Sequence, residues 1–566
     1  MKKIVAILLS TVSLSVWAGT EPPGYSVVSA SPYATRIGMQ TLKNGGNAFD
    51  AAVAVTAALA VTEAYHSGLG GGGFWLLYDA KNNKNIFVDG RETAPHAATK
   101  NMYLDEHGKP IKDLSLFGPL ASAIPGEPAA LAHISKKYGT LPLAKTLQPA
   151  IELALTGFKV DELYRSIVMN RRINQHLMTY PSTANIFSPN GKAPEVGQRI
   201  VQKDLARTLK GLAKLGHKGF YEGKVAKKLV HEVRKNGGIW SLADLKNYKV
   251  IEREPLESDY LGTQIITAPP PSAGGISLIS MLNILSHYPL AELSEASRIH
   301  LNVEAMRLAY WDRAEFLGDP DFISIPVKRL TSKAHAKRLK RFIKEDKATF
   351  SDELERKPDG FKDTSDNTTH FSIIDAKGNR VSATLSVNYL FGSNFVAQGT
   401  GVLLNNEMDD FSVKSGVKNV FGLIGGESNS IAPGKRPLSS MAPTFLVNPS
   451  RIAILGTPGG SRIPTMLLLS TLAFIDGKSP MSFVPMQRYH HQYLPDVIEY
   501  ENDAFNRTIK KELIEMGYSL ERLNKDYGSR SFFYGDMQAL EWNKKNKSLI
   551  ACSDPRHIGL AEVHYN

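Results

Sequence analysis

Cysteine is almost absent from this 566-residue chain. Cys552 stands alone, so no internal disulfide can form and stability has to come from burial. It lies in "LIACSDPRH", which reads as a strand end entering a turn, an inert setting for a thiol. Metal-site patterns are missing too: there is no HExxH or CxxC, and His490 and His491 are adjacent, so they cannot share one helix or strand face and read as structural histidines. No metal or other cofactor is expected. Neither a GxSxG elbow nor a phosphate loop ending in Lys-Ser/Thr occurs; "GLGGGGF" lacks that ending and follows a helix, which points to tight packing. Internal repeats and low-complexity tracts are absent. Long apolar runs are scarce. The one that stands out belongs to "MKKIVAILLSTVSLSVWAGT", where a basic pair, an apolar stretch from Ile4 to about Val16 and Ala18 have the layout of a cleavable secretory signal over residues 1–18. That stretch is shorter than the ~20 residues of a spanning helix. A periplasmic or secreted protein with no membrane span after signal removal is expected.

What remains is ordinary for a soluble globular chain: 42% hydrophobic and 22% charged residues leave room for a large core. Length alone allows several domains or one large layered α/β or α+β unit. The net charge is +12, two units less without Lys2 and Lys3. Its densest basic run, "KAHAKRLKRFIKEDK", is spaced as a solvated helix face, so nucleic acid is not an expected partner.

Before Ser365 the chain is mostly helical in pattern. "AFDAAVAVTAALAVTEAY" is alanine-rich and apolar nearly all round, as a helix buried between layers must be. Amphipathic stretches follow near 142–155, 203–215, 224–236 and 296–316, and "APPPSAGG" forms a rigid turn ahead of another helix. The segment 345–366 is charged and polar, an exposed loop. From Thr368 the pattern changes to strands and turns: "THFSIIDAKGNRVSATLSV" is a hairpin with Lys377-Gly378 at its tip, and "TGVLLNN", "APTFLVN", "RIAILGTPGG" and "ALEWN" are further strands.

A two-residue tip places Val387 opposite Thr368; an odd-numbered loop moves that partner to Ser386 or Asn388. Hydroxyls and an amide thus gather at one strand end behind an accessible loop. Were the bond between Asn367 and Thr368 cut, Thr368 would carry a free α-amine beside its own hydroxyl. With an ordinary pKa of ~7.7–8.0, that amine can accept the hydroxyl proton and make nucleophile and base one residue. Taken alone, Thr368 reads rather as a plain β-branched strand residue.

Eight further segments decide between these readings. "NGGNAFDAAVA", "GLGGGGF", "DGRETAP", "PPPSAGGI", "LGDPDF", "LLNNEMDDFS", "GKRPLSSMAPT" and "GTPGGSR", in this order around the central threonine, resemble the signature segments of the γ-glutamyltranspeptidase (glutathione hydrolase) family over nearly the whole mature chain. The resemblance implies a four-layer αββα sandwich of the N-terminal nucleophile hydrolase type, an α+β fold. It also implies a proenzyme that cuts itself between 367 and 368 into a large subunit, 19–367, and a small catalytic subunit, 368–566, which stay together as a heterodimer. The implied activity is γ-glutamyl transfer and hydrolysis on glutathione and related small molecules, without a cofactor. Matched residue by residue, Thr368 is the nucleophile with Ser386 beside it, and Gly459 and Gly460 supply oxyanion donors. Arg91, Ser439 and Ser440 hold the substrate α-carboxylate, while Asn388, Glu407 and Asp410 hold its α-amine. Without the resemblance, Glu407, Asp409 and Asp410 read as a surface acidic cluster or a cation site, Arg91 as a solvated loop charge, and the serine pair as a helix cap or turn.

Two positions depart from the family pattern. Ser386 stands where many bacterial relatives carry threonine, which implies a looser rotamer. Phe421 stands in the lid loop where a gating tyrosine is common, and its ring has no hydrogen bond to give. Two competing readings remain: a β-lactam side-chain (glutaryl or cephalosporin) acylase on the same scaffold, and an unprocessed, non-catalytic binding protein.

Overall fold

The buried helix foreseen near the N-terminus forms at Ala48–Thr62, and all fifteen of its residues are buried. Its sequence explains both ends. Asn47 caps Phe49 and Asp50 while the Asp50 carboxylate returns to the Asn47 N–H, closing a capping box. The same carboxylate accepts from the Thr140 and Leu141 N–H groups and the Thr140 hydroxyl, so the helix's only charge is fully engaged. The computed structural model describes residues 21–354, 368–523 and 534–566. The proposed signal segment and Asn367 lie outside the described residues.

That helix, with Pro32–Lys43 and Glu127–Tyr138, covers one face of a seven-stranded antiparallel sheet. Its order is 560–565, 24–29, 369–374, 380–386, 72–79, 84–90 and 251–253. A second antiparallel sheet, in the order 548–553, 538–543, 451–456, 444–447, 263–267 and 256–260, packs on its other face. The helices Gly274–Leu285 and Pro480–Phe483 close the far side, with Glu295–Phe316 and Ile463–Ile475 packed on the first of these. The result is a four-layer αββα sandwich of α+β class, as expected. The sequence pattern understated the first half of the chain, which supplies six strands to the two sheets, among them the short ones at 251–267.

Strands from before and after Thr368 interleave. The strand Thr369–Ile374 lies between Gly24–Ser29 and Arg380–Ser386, and Arg380–Ser386 pairs in turn with Gly72–Asp79. Between the sheets, Ser372 donates to the Gln538 carbonyl and Ser382 to that of Leu455, at 2.9 Å each. The glycine run is packing, as anticipated: a Cβ on Gly71 would lie 2.2 Å from the Ser386 carbonyl oxygen. Residues 345–354 are in part the exposed loop expected, with Glu345, Asp346, Lys347, Phe350, Asp352 and Glu353 exposed, but the segment is anchored. Ala348 and Leu354 are buried, and Ser351 donates through its N–H to Asp496 and through its hydroxyl to the Tyr493 carbonyl. The rest of that segment, 355–366, lies outside the described residues.

Candidate active site

The hairpin that begins at Thr369 settles the register. Leu385 faces Thr369 and Arg380 faces Ile374, so the connection is odd-numbered and the position opposite Thr368 falls to Ser386 rather than Val387. Asp375 sets the loop: its Oδ1 accepts the N–H groups of Lys377 and Asn379, its Oδ2 accepts the Asn379 amide and the Ala48 N–H, and Gly378 turns with φ +85°. The Thr368 hydroxyl consequently lies 3.5 Å from the Ser386 hydroxyl. Ser386 does not need the methyl of a threonine for its orientation, because its Oγ accepts the Asn388 N–H at 2.8 Å. Asn388 adopts φ +74°, a left-handed conformation that Asn tolerates, and its amide donates to the Asn406 carbonyl.

The acidic cluster and Arg91 are buried, contrary to their reading as surface charges. Arg91 is 1% exposed. It follows the strand Lys84–Gly90; its N–H is held by Asp89, its carbonyl accepts from the Tyr248 hydroxyl, and its Nε donates to the Pro437 carbonyl. The guanidinium reaches Glu407 at 2.6 Å, Asp410 through a short contact and Glu92 at 3.4 Å. Burial alone would lower the Arg91 pKa, but the three carboxylates raise it above the ordinary arginine range. For the acids the balance runs the other way. Burial pushes Glu92 up to about 7 against the pull of Arg91, and raises Glu407 as well. One guanidinium thus faces three carboxylates, an imbalance that favours an incoming cation. Glu407 Oε1, fully buried, has no hydrogen-bond partner among the described residues.

The remaining expected residues converge on the same place. Arg91, Thr368, Ser386, Asn388, Asp410, Phe421, Ser439, Ser440 and Gly460 all line one cavity, while Glu407 lies directly behind it in contact with Arg91, and Gly459 packs against Met466. Ser439 is neither a helix cap nor a solvated turn: its N–H donates to the Pro271 carbonyl and its own carbonyl accepts from Ala273, so "APPPSAGG" braces "RPLSSM". The Ser439 hydroxyl accepts the Met441 N–H. Gly459 and Gly460 adopt φ +136° and +50°, which only glycine takes without strain, and neither N–H has a partner among the described residues. The Phe421 ring closes the cavity over Gly460, where a Cβ would lie 2.6 Å from the ring. About 20 Å³ remains, room for one water but not for an amino-acid head, so the lining, Phe421 included, has to open for a substrate to enter.

Two structural partners escaped the sequence reading. Asn405 spends its whole side chain on backbone: its amide donates to Gly70 and Ala123 carbonyls and its oxygen accepts from Ala123 and Glu407. Asn406 likewise joins Leu116 to Tyr389. The doubled Asn in "LLNNEMDD" was their only signal. Histidine chemistry is not among the site's resources. His370, behind the nucleophile, is pushed down to about 3 by burial and bonds to Thr384; His490 and His491 are pushed down to about 3 and about 4, chiefly by burial, and bond to Thr465 and Asp496. Burial, with Asp554 nearby, pushes the Cys552 thiol up to about 11, as an inert cysteine requires.

The family model described as gamma-glutamyltranspeptidase matches residues 34–563. A glutathione hydrolase proenzyme of Pseudomonas sp. (strain A14) is 43% identical over 529 residues, covering 91% of this chain and 90% of that protein. That of Escherichia coli (strain K12) is 40% identical, covering 94% and 90%. Among solved structures, a cephalosporin acylase from Bacillus halodurans superposes with a TM-score of 0.81 at 26% identity, covering 96% of each chain.

Proposed function

The chain belongs to the gamma-glutamyltranspeptidase family, and on that premise we propose a self-processing γ-glutamyl transferase and hydrolase acting on glutathione and other γ-glutamyl amides. The observation that carries the proposal is the meeting of Thr368, Ser386, Arg91, Asn388, Asp410, Ser439, Ser440 and Gly460 around one closed cavity. In the precursor, the Thr368 hydroxyl attacks the carbonyl carbon of Asn367 and the peptide nitrogen leaves, giving an ester. Water then hydrolyses the ester, freeing an Asn367 carboxylate, the Thr368 hydroxyl and the Thr368 amine. The large and small fragments, 19–367 and 368–566, stay together because their strands alternate in the sheets.

In the mature enzyme the Thr368 amine takes the hydroxyl proton as Oγ attacks the γ-carbonyl, and the same proton passes to the departing amine. Gly459 and Gly460 offer their N–H groups to the oxyanion, with Ser386 beside the nucleophile. The substrate's α-carboxylate takes Arg91 and the two serines. Its ammonium goes to Asp410, Glu407 and the Asn388 oxygen, replacing the ion pairs now made within the protein. Water or an amine then releases the glutamyl group from Thr368. Export through the N-terminal signal, to the periplasm or beyond the cell, belongs to the same proposal. No helix among the described residues is long and apolar enough to cross a membrane.

The likeness to a cephalosporin acylase sustains a second reading, acyl transfer from a glutaryl side chain. A glutaryl group lacks the α-ammonium, so it leaves the excess carboxylates around Arg91 uncompensated. Parallel assays with γ-glutamyl and glutaryl anilides decide between the two: turnover of the first and at most weak turnover of the second is expected, and the reverse order would overturn the assignment. Loss of γ-glutamyl turnover in T368A, with ordinary turnover in the wild type, eliminates a non-catalytic binding protein.

A further inference from the structure

Asp409 plays no part in the chemistry above. It does not line the cavity, yet it is a carboxylate only 4% exposed beside a second acid, an expensive group to bury without a use. Its hydrogen bonds run to the lid. Oδ2 accepts the N–H of Val420 at 2.9 Å, and Oδ1 accepts the Ser115 hydroxyl, from the first half of the chain, at 2.7 Å. The neighbouring lid residue Asn419 donates to Asp410 at 3.2 Å, while its oxygen accepts the N–H groups of Phe421 and Leu423. The lid tip 419–421 is therefore fastened from below by two adjacent carboxylates, and the ring that closes the cavity is the next residue along from the Asp409 contact.

We propose that Asp409 is the latch of the lid: it couples Val420 to Ser115 and holds Phe421 over Thr368, doing by a backbone contact what the phenyl ring cannot do by itself. Asp409 is thus a positioning residue whose kinetic consequences rest on the function proposed above. Opening the lid admits the donor and exposes the acyl-enzyme to acceptors, so the latch strength governs both steps. The groups facing this carboxylate are Asp410, Asp113 and the Tyr103 hydroxyl. Burial and the two acids push Asp409 up to about 7 against the hydrogen bonds from Ser115 and Val420.

The test uses the self-processed full-length enzyme and limited trypsin digestion, read by mass spectrometry as cleavage after Lys414 and Lys418 in the lid. D409N keeps the shape but has one oxygen for two donors. It should speed lid cleavage ~10-fold, the factor expected for losing one hydrogen bond to a charged group, with cleavage elsewhere unchanged. S115A, which leaves the carboxylate in place, should give a smaller increase of the same kind. Wild-type lid cleavage in both variants would overturn the proposal. In the kinetic arm, both variants should alter the ratio of transfer to hydrolysis; an unchanged ratio despite a loosened lid would refute the link to acceptor choice. Because proteolysis needs no substrate, it stands or fails independently of the γ-glutamyl assignment.

Discussion

Arg91 Nη1 lies 2.6 Å from Glu407 Oε2, so the guanidinium assigned to a substrate carboxylate is already engaged by an acid assigned to its ammonium. Arg91, Glu407 and Asp410 form an internal ion-pair cluster. In the proposed binding mode, substrate would exchange each internal partner for an external one and so preserve buried pairing.

This exchange depends on the fork geometry of arginine. R91K keeps the charge but cannot meet two acceptors in one plane, and should raise the KM for a γ-glutamyl anilide by ~10–100-fold with a smaller change in kcat. Self-cleavage involves no α-carboxylate and should proceed. Steady-state kinetics and denaturing electrophoresis check both halves; an unchanged KM would contradict the assignment.

Ser386 faces Thr368 across the sheet and is oriented by the Asn388 N–H. S386A should slow self-cleavage and lower kcat by one to two orders of magnitude, the scale of losing one polar group beside the reacting oxygen, while S386T should retain both. A time course of fragment formation together with kcat measures this. Equal rates for S386A and wild type would remove Ser386 from the mechanism.

Phe421 and Gly460 touch, and Gly460 sits at φ +50°. G460A puts a methyl into the phenyl ring and strains the backbone at the proposed oxyanion donor, so kcat should fall by ~10²-fold or more. F421A instead uncovers the cavity and should change the transfer-to-hydrolysis ratio while self-cleavage continues. Product analysis with and without an amino-acid acceptor reads the difference.

The buried acids also set a pH trend in stability. Burial raises Asp409 from 3.8 to about 7 and Glu92 from 4.5 to about 7. Between those limits the folded state binds protons that the unfolded chain has released, so the contribution of these groups to stability falls as pH rises through the window. D409N removes one of them. Its thermal midpoint relative to wild type should therefore improve from pH 5 to pH 8 even as the lid loosens, and scanning calorimetry at both pH values is the check. A difference independent of pH would mean that Asp409 ionises normally.

Much of this was legible in the sequence because glycine and alanine leave few alternatives. The alanine-rich helix could only be buried all round, and the hairpin constrained the partner of Thr368 to three neighbouring residues. Loop chemistry chose among them: Asp375 and Gly378 fold an odd-numbered connection that a Lys-Gly tip alone does not announce. The burial of Arg91 and its acids was not readable from composition, since charge pairing across more than three hundred residues leaves no local pattern; only the family resemblance placed them together. The Asn405 clamp and the Asp409 latch were invisible for the same reason, each joining segments remote in the chain.

The central claim is that Thr368 becomes a chain terminus, and terminal sequencing with intact mass measurement of purified, fully active protein tests it most directly. Two fragments are expected, the smaller beginning at Thr368, and a single uncut chain from T368A. Full activity in a chain still joined through Asn367 and Thr368 would contradict it.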